Sequence, residues 1–474
     1  MVFSSIEFLL FFLPLFLIIY SLVPERMKNV TLLSGSLIFY AYGETKYLPL
    51  LMISILANHF FGLHIGRRER YRAERGGADT GQKSGIRTNR NKINRRRKAV
   101  FAIAILYNVG MLAAFKYGRG GRYLPLGISF YTFQMLSYLI DVYRGEQRRE
   151  PSFLKFATYV AMFPQLLSGP LVGYGEMRGS LARREFSAKG VQDGLKVFAM
   201  GLAAKVLLAD RIGLLWQEVQ VTGFESISTP LAWLAAIAYS LKIYFDFYGY
   251  SLMAMGLGRM LGFSLPENFR NPYMATSVRD FYRRWHMTLG GWFRKYVYIP
   301  LGGNRRGEYR TVCHLLAVWI LTSVWHGSTG NFLIWGMLLW LAIVIERQLE
   351  ALGVTAVLEK VPGKLLCRLF VWVYIPITWV CFGITDIGQL QVFLGRMFHV
   401  VPGIRVSAGD WQKALENYGV LFLAGAIAST PLLKNLFRRF KDSWLVMALL
   451  AALFWLCVWR LQMEGHNPFM YLNF

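Results

Sequence analysis

Acidic residues and paired cysteines are what this 474-residue chain has least of. Only 27 Asp and Glu stand against 53 Lys and Arg, giving a formal net charge of +26, and charged residues of both signs make up 17% of the chain. The four cysteines (Cys313, Cys367, Cys381 and Cys457) are scattered without a CxxC pair, each in or beside an apolar stretch. They read as free, packed thiols, which argues against a disulfide framework and against a metal site. No nucleotide-binding glycine loop precedes a helix. The first apolar run, 6–23, lacks the basic start and small-residue cleavage site of a cleaved signal, so it reads as a retained membrane helix kinked near Pro14. No repeat of fixed period and no linker divide the chain, which reads as one integral-membrane domain over 1–474.

What is present in abundance is apolar and aromatic. Hydrophobic residues make up 55%, with 35 Phe, 25 Tyr and 14 Trp, a combination typical of polytopic membrane proteins. The basic residues lie in short runs between apolar segments, the pattern of cytoplasmic loops facing anionic lipid headgroups rather than nucleic acid. The longest basic run, 67–98, holds thirteen Lys or Arg against three acids and reads as a flexible cytoplasmic loop. It lacks the interleaved aromatics of a single-strand binder, so lipid contact and topology setting are its expected roles.

The apolar runs are 6–23, 29–42, 47–65, 99–117, 124–143, 153–173, 194–211, 230–262, 312–325, 330–348, 366–386, 417–433 and 443–460. They predict an all-α polytopic protein with about eleven transmembrane helices plus shorter re-entrant or interfacial ones. Within them Gln134, Asp141, Gln165 and Ser168 read first as interhelical hydrogen-bonding groups, with the Gly169-Pro170 break as a cavity-lining alternative. His59 and His64, near a helix end, read as interfacial. Asp246 lies among aromatics with Arg259 as a candidate counter-charge, and Gly249, Gly256 and Gly258 permit close helix packing.

The stretch 277–331 organises the rest. His286 and His326 each follow a tryptophan, and the apolar segment 312–325 between them spans roughly 20 Å as a helix, most of a hydrocarbon core. A titratable imidazole at such depth is costly unless paired or facing a wet cavity, which marks it as a functional candidate. Around His286, residues 277–299 alternate Arg279, Arg283, Arg284, Arg294 and Lys295 with Phe281, Tyr282, Trp285, Trp292, Phe293, Tyr296 and Tyr298. This suits an amphipathic element at the headgroup level, and equally Arg283, Arg284, Arg294 and Lys295 suit the phosphates of an anionic donor such as CoA or phosphopantetheine.

The sequence FRNPYMATSVRDFYRRWHMTLGGWFRKYVYIPLGGNR, followed by SVWHGSTGNFLIWG, resembles the membrane-bound O-acyltransferase (MBOAT) family. The resemblance is to its bacterial branch of alginate O-acetylases (AlgI) and D-alanyl-transfer proteins (DltB). LLSGSLIFYAYGE, PLGISFYTFQMLSYLIDVYRG and the terminal NPFMYLNF carry the similarity over nearly the whole chain. The resemblance implies tilted helices around a tunnel joining the two membrane faces. It further implies a catalytic His326 and a supporting or donor-side His286. It implies, too, an acyl group, acetyl above all, passing from a cytoplasmic thioester to an extracytoplasmic polysaccharide, often through a partner acyltransferase of SGNH type. No tightly bound cofactor is expected; the donor would be acyl-CoA or an acyl-phosphopantetheine carrier protein, in a bacterial cytoplasmic membrane. Tyr248 and Leu252 replace a Ser and an Asp usual in the branch, and Lys295 an Asp. These departures bear on donor and acceptor rather than on the fold. D-alanyl transfer to teichoic acid is the alternative within the class. A transporter or flippase is the alternative outside it, although no inverted repeat is visible and it would not need His326.

Overall fold

The computed structural model describes residues 1–66, 83–118, 124–167, 169–354 and 360–464; side chains are described outside 83–93 and 361. Among them every regular element is helical and no strand occurs. They gather into two compact units. One contains Met1–Gly194 and Leu257–Leu265; the other contains Leu195–Gly256 and the described part of Pro266–Leu472.

In the first unit, α1 (Glu7–Leu22) opens as a π-helix over Glu7–Phe12 and becomes α-helical at Leu13. Pro14, which has no N–H to donate, lies just past that change, so the expected irregularity takes the form of a widened turn. α2 (Lys28–Glu44) packs so closely on α1 that a Cβ at Gly35 would stand 2.3 Å from the Phe16 ring. α3 (Leu48–Ile65) buries His59, whose Nε2 lies 3.1 Å from the Glu150 carbonyl, while His64 stays near the surface against Phe60. His59 is thus a packed residue within the protein. Of the basic run, 67–82 lies outside the described residues and 83–98 forms the first turns of α4 (Lys83–Tyr117). α5 (Ile128–Arg144) runs between two left-handed glycines, Gly127 (φ 71) and Gly145 (φ 78), and Gly127 approaches Leu166 O so closely that a side chain would clash. α6 (Phe153–Ala161) and α7 (Tyr174–Ala182) follow. Gln134 donates to Gln165 at 2.8 Å, the bland interhelical reading of that pair; Ser168 lies outside the described residues.

Further along the chain, α8 (Ala188–Ala203) passes through a π-helical stretch, Ala204–Ala209, into α9 (Asp210–Thr222). α10 (Thr229–Met260) meets α8 where Gly201 and Gly249 face each other; a Cβ at either would lie 2.5–2.6 Å from the other's carbonyl oxygen. That closeness lets Lys205 reach both Asp246 (2.7 Å) and Asp210 (2.6 Å). The counter-charge of Asp246 is therefore Lys205 rather than Arg259, because the π-helical turn brings the ammonium inward.

The remaining helices are α11 (Val278–Arg284), α12 (Met287–Phe293), α13 (Glu308–His326), α14 (Gly330–Ala351), α15 (Val361–Gly383), α16 (Ile387–Met397), α17 (Asp410–Ala428), α18 (Leu432–Phe440) and α19 (Trp444–Glu464). Among the described residues five helices are long and apolar enough to cross a membrane, or six if α17 and α18, bent by 67°, count as one span. The expected count of about eleven is not reached by length and apolarity. Apolar runs such as 153–173 are broken into short helices, which composition does not distinguish from spans. The protein is a multi-pass membrane protein, all-helical among the described residues.

Candidate active site

The site is built on α13 and α14, held together along their length. A Cβ at Gly336 would lie 1.9 Å from Ser323 Oγ and 3.2 Å from the Trp319 carbonyl, so glycine there lets the two helices pack closely. Trp340 Nε1 donates to Val312 O (3.2 Å), and Arg347 binds Glu308 through two hydrogen bonds (3.0 and 2.8 Å). At the near end Asn331 donates to the carbonyls of Cys381 and Phe382, joining the last turn of α15 to the start of α14. His326 is the last residue of α13. Its ring sits among Trp335 (5.1 Å between centroids), Phe382 (5.0 Å) and Trp325 (4.5 Å). Gly327 is needed there: a Cβ would fall 2.2 Å from the Phe332 ring that closes this aromatic wall. Its amide already donates to Ser323 O.

His286 is placed by a broken chain of short helices, where a single amphipathic element was expected. Ser277 caps α11 by accepting from Asp280 N (2.9 Å), and the Glu346 carboxylate accepts from Arg279 N (2.9 Å), an anion at a helix N-terminus. Trp285 ends the helix, anchored on Trp379 (4.8 Å). His286 then adopts a left-handed conformation (φ 44, ψ 53) before α12 begins. Two backbone bonds pin this turn: Arg270 N to Arg284 O and Met287 N to Asn268 O.

The same loop supplies the ring's partner. His286 Nδ1 lies 3.0 Å from Asn268 Oδ1, which also accepts from Thr288 N (3.3 Å) and Thr288 Oγ1 (3.0 Å). A backbone N–H can only donate, so the carboxamide presents its oxygen here and His286 Nδ1 carries the proton. In the neutral ring Nε2 then holds the lone pair, and it has no hydrogen-bond partner. His286 lies outside the spanning helices, and burial pushes its imidazole down to about 3, so the ring is neutral at working pH.

Both histidines line one cavity of about 670 Å³, together with Arg283 and Arg294. Two further arginines on its wall are neutralised: Arg279 by Glu350 (2.6 Å) and Arg347 by Glu308. Arg283 and Arg294, also on the wall, have no ion pair among the described residues. Arg284 and Lys295 are not on the cavity wall; Arg284 binds Asp280 (3.0 Å), and Lys295 lies over the Tyr296 ring. Trp335, also on the wall, keeps an indole N–H without a partner. Sequence reasoning passed over Asn268 and Trp335. Asn268 is one of two asparagines in ENFRNPY with nothing in its spacing to single it out, and Trp335 is one tryptophan in an apolar helix.

Residues 126–384 match the model of the MBOAT, membrane-bound O-acyltransferase family. The chain is 31% identical to the probable alginate O-acetylase AlgI of Pseudomonas putida over 100% of both chains. It is 30% identical to the peptidoglycan O-acetyltransferase of Helicobacter pylori over 84% of this chain and 80% of that one. Against the teichoic acid D-alanyltransferase of Bacillus subtilis the identity is 26%, over 45% of this chain and 56% of the relative. With a family model spanning more than half of its residues and a relative matched from end to end, the chain belongs to the membrane-bound O-acyltransferase family.

Proposed function

We propose that the protein moves an acetyl group from a cytoplasmic thioester toward the hydroxyls of an extracytoplasmic polysaccharide in a bacterial envelope, with a partner acetyltransferase of SGNH type completing the transfer. The observation that carries this reading is the single cavity lined by two histidines and two unpaired arginines. The relatives matched over most of the chain are named for alginate and for peptidoglycan, both polysaccharides, whereas the D-alanyltransferase match covers less than half of it.

The chemistry needs a base, a site for the oxyanion and a grip on the donor. The hydroxyl oxygen attacks the thioester carbonyl while His326 takes its proton. The tetrahedral intermediate then expels the thiolate with the C–S electron pair, and the proton passes to that sulfur. The Trp335 indole N–H is a donor for the oxyanion, and His286 assists as a neutral acceptor beside the reacting groups. Arg283 and Arg294 hold the donor's phosphates.

The test is ester formation by membranes carrying the protein together with its SGNH-type partner acetyltransferase, supplied with labelled acetyl-CoA or a labelled acetyl-carrier protein and a soluble polysaccharide. Replacing Arg283 and Arg294 by Gln is expected to raise KM for the donor about 10-fold or more, with kcat largely kept, since each charge-assisted hydrogen bond contributes about 1.5–3 kcal/mol. A fall in kcat with KM unchanged removes the arginines from donor binding, and no ester from either donor overturns the function. Gly327→Ala is expected to push the Phe332 ring against the His326 wall and cut kcat about 10²-fold, as a misplacement near 1 Å does; full activity in that variant means the wall does not position His326.

A further inference from the structure

Asn268 is buried to 1% exposure, yet only one end of its carboxamide is used. Its oxygen accepts from His286 Nδ1, Thr288 N and Thr288 Oγ1, while its own Nδ2 has no partner. A buried amide with an unmet donor is costly where an apolar side chain would fill the space, so its retention points to the oxygen. That oxygen is aimed at an imidazole that lines the cavity, at a residue held in a left-handed turn.

We infer that Asn268 is a positioning residue for acyl transfer, fixing His286 as the Nδ1–H tautomer so that the ring meets its substrate with Nε2 as a hydrogen-bond acceptor. This rests on the acyl-transfer reading above. Without Asn268 the imidazole has no local acceptor to prefer one tautomer, and a ring with the proton on Nε2 offers the substrate a donor in the wrong place.

The surroundings make the link measurable. Against the ring pack Phe247 of α10, Asn268 and Thr288, none of them charged. The titratable or charged groups sharing its cavity are His326, Tyr282, Tyr298 and the four arginines. Burial alone lowers the imidazole to about 3, so a carboxylate placed at 268 acts on a ring with no competing acid. Asn268→Asp keeps the acceptor oxygens and favours the imidazolium, raising the ring's pKa. Activity in that variant is then lost as pH falls through the raised value. Asn268→Leu keeps the branched shape, with more bulk, and removes the acceptor.

The experiment uses the full-length protein in lipid bilayers, with 15N-histidine labelling and His286→Gln to assign the ring, beside a pH profile of acetyl transfer in the presence of the partner acetyltransferase. In the native protein His286 is expected to show a protonated Nδ1 and a bare Nε2. In Asn268→Leu the tautomers mix and kcat falls about 10²-fold with KM little changed. In Asn268→Asp the acidic limb of the profile moves up by about 1–3 pH units and activity returns at high pH. An unchanged His286 signal in Asn268→Leu, or an Asn268→Asp profile superimposable on the native one, overturns the positioning role while leaving acyl transfer in place. A native protein that forms no ester overturns the functional reading, and the positioning role falls with it.

Discussion

Replacing His326 by Ala is expected to reduce acyl transfer by about 10³-fold, within the range that a positioned base contributes. The geometry gives the reason. His326 closes α13 on the wall of the cavity, and its ring is fixed by Trp335, Phe382 and Trp325 rather than by a mobile loop. Removing the imidazole takes away the proposed acceptor of the hydroxyl proton and leaves the aromatic wall standing. His326→Gln fills more of the same space without a basic nitrogen, so it should be equally inactive. Both variants are expected to reach the membrane at native levels and to elute as a single folded species. The measurement is the ester content of the surface polymer, set against the amount of protein. Normal esterification with either variant removes His326 from the chemistry and brings the transporter reading forward.

The second large effect concerns stability. Lys205→Met is expected to destabilise the protein by about 3–5 kcal/mol, as breaking a buried ion pair from one side does. Lys205 is 2% exposed and sits between Asp210 and Asp246, which without it are two carboxylates enclosed together. Lys242, whose stem crosses Gly213, is the other cation in reach, though no hydrogen bond ties it to the cluster. The readout is the midpoint of thermal unfolding in detergent and the folded fraction after solubilisation. Adding Asp246→Asn to Lys205→Met removes one of the stranded charges and should recover part of the loss. A Lys205→Met protein as stable as the native one means the triad contributes no net stability.

The two clusters mark how far the sequence could be read. His326 and His286 stood out because an imidazole after a tryptophan, deep in an apolar chain, has few inert explanations. Gln134 and Gln165 were legible for the same reason, and they bond to each other. The partner of Asp246 was not. Arg259 is closer along the helix, and nothing in AKVLLA announces the π-helical stretch that swings Lys205 inward. Arg283, Arg284, Arg294 and Lys295 were read alike as donor contacts, and of these four Arg283 and Arg294 line the cavity while Arg284 and Lys295 do not. Which arginine is already spent on an acid depends on helix ends and turns, not on composition. The number of spans failed to emerge for a related reason. Hydropathy measures apolarity along the chain, and a helix broken by Gly-Pro carries as much of it as one that continues.

The left-handed backbone at His286 sets durability against chemistry. Glycine or asparagine takes that conformation with least cost, and for other residues it costs roughly 1–2 kcal/mol. A laboratory selection that rewarded only heat tolerance would favour replacing His286, and would discard the imidazole proposed to assist the transfer. Gains in melting temperature at this one turn are therefore a warning sign in any engineered descendant of the protein, to be checked against ester formation before they are kept.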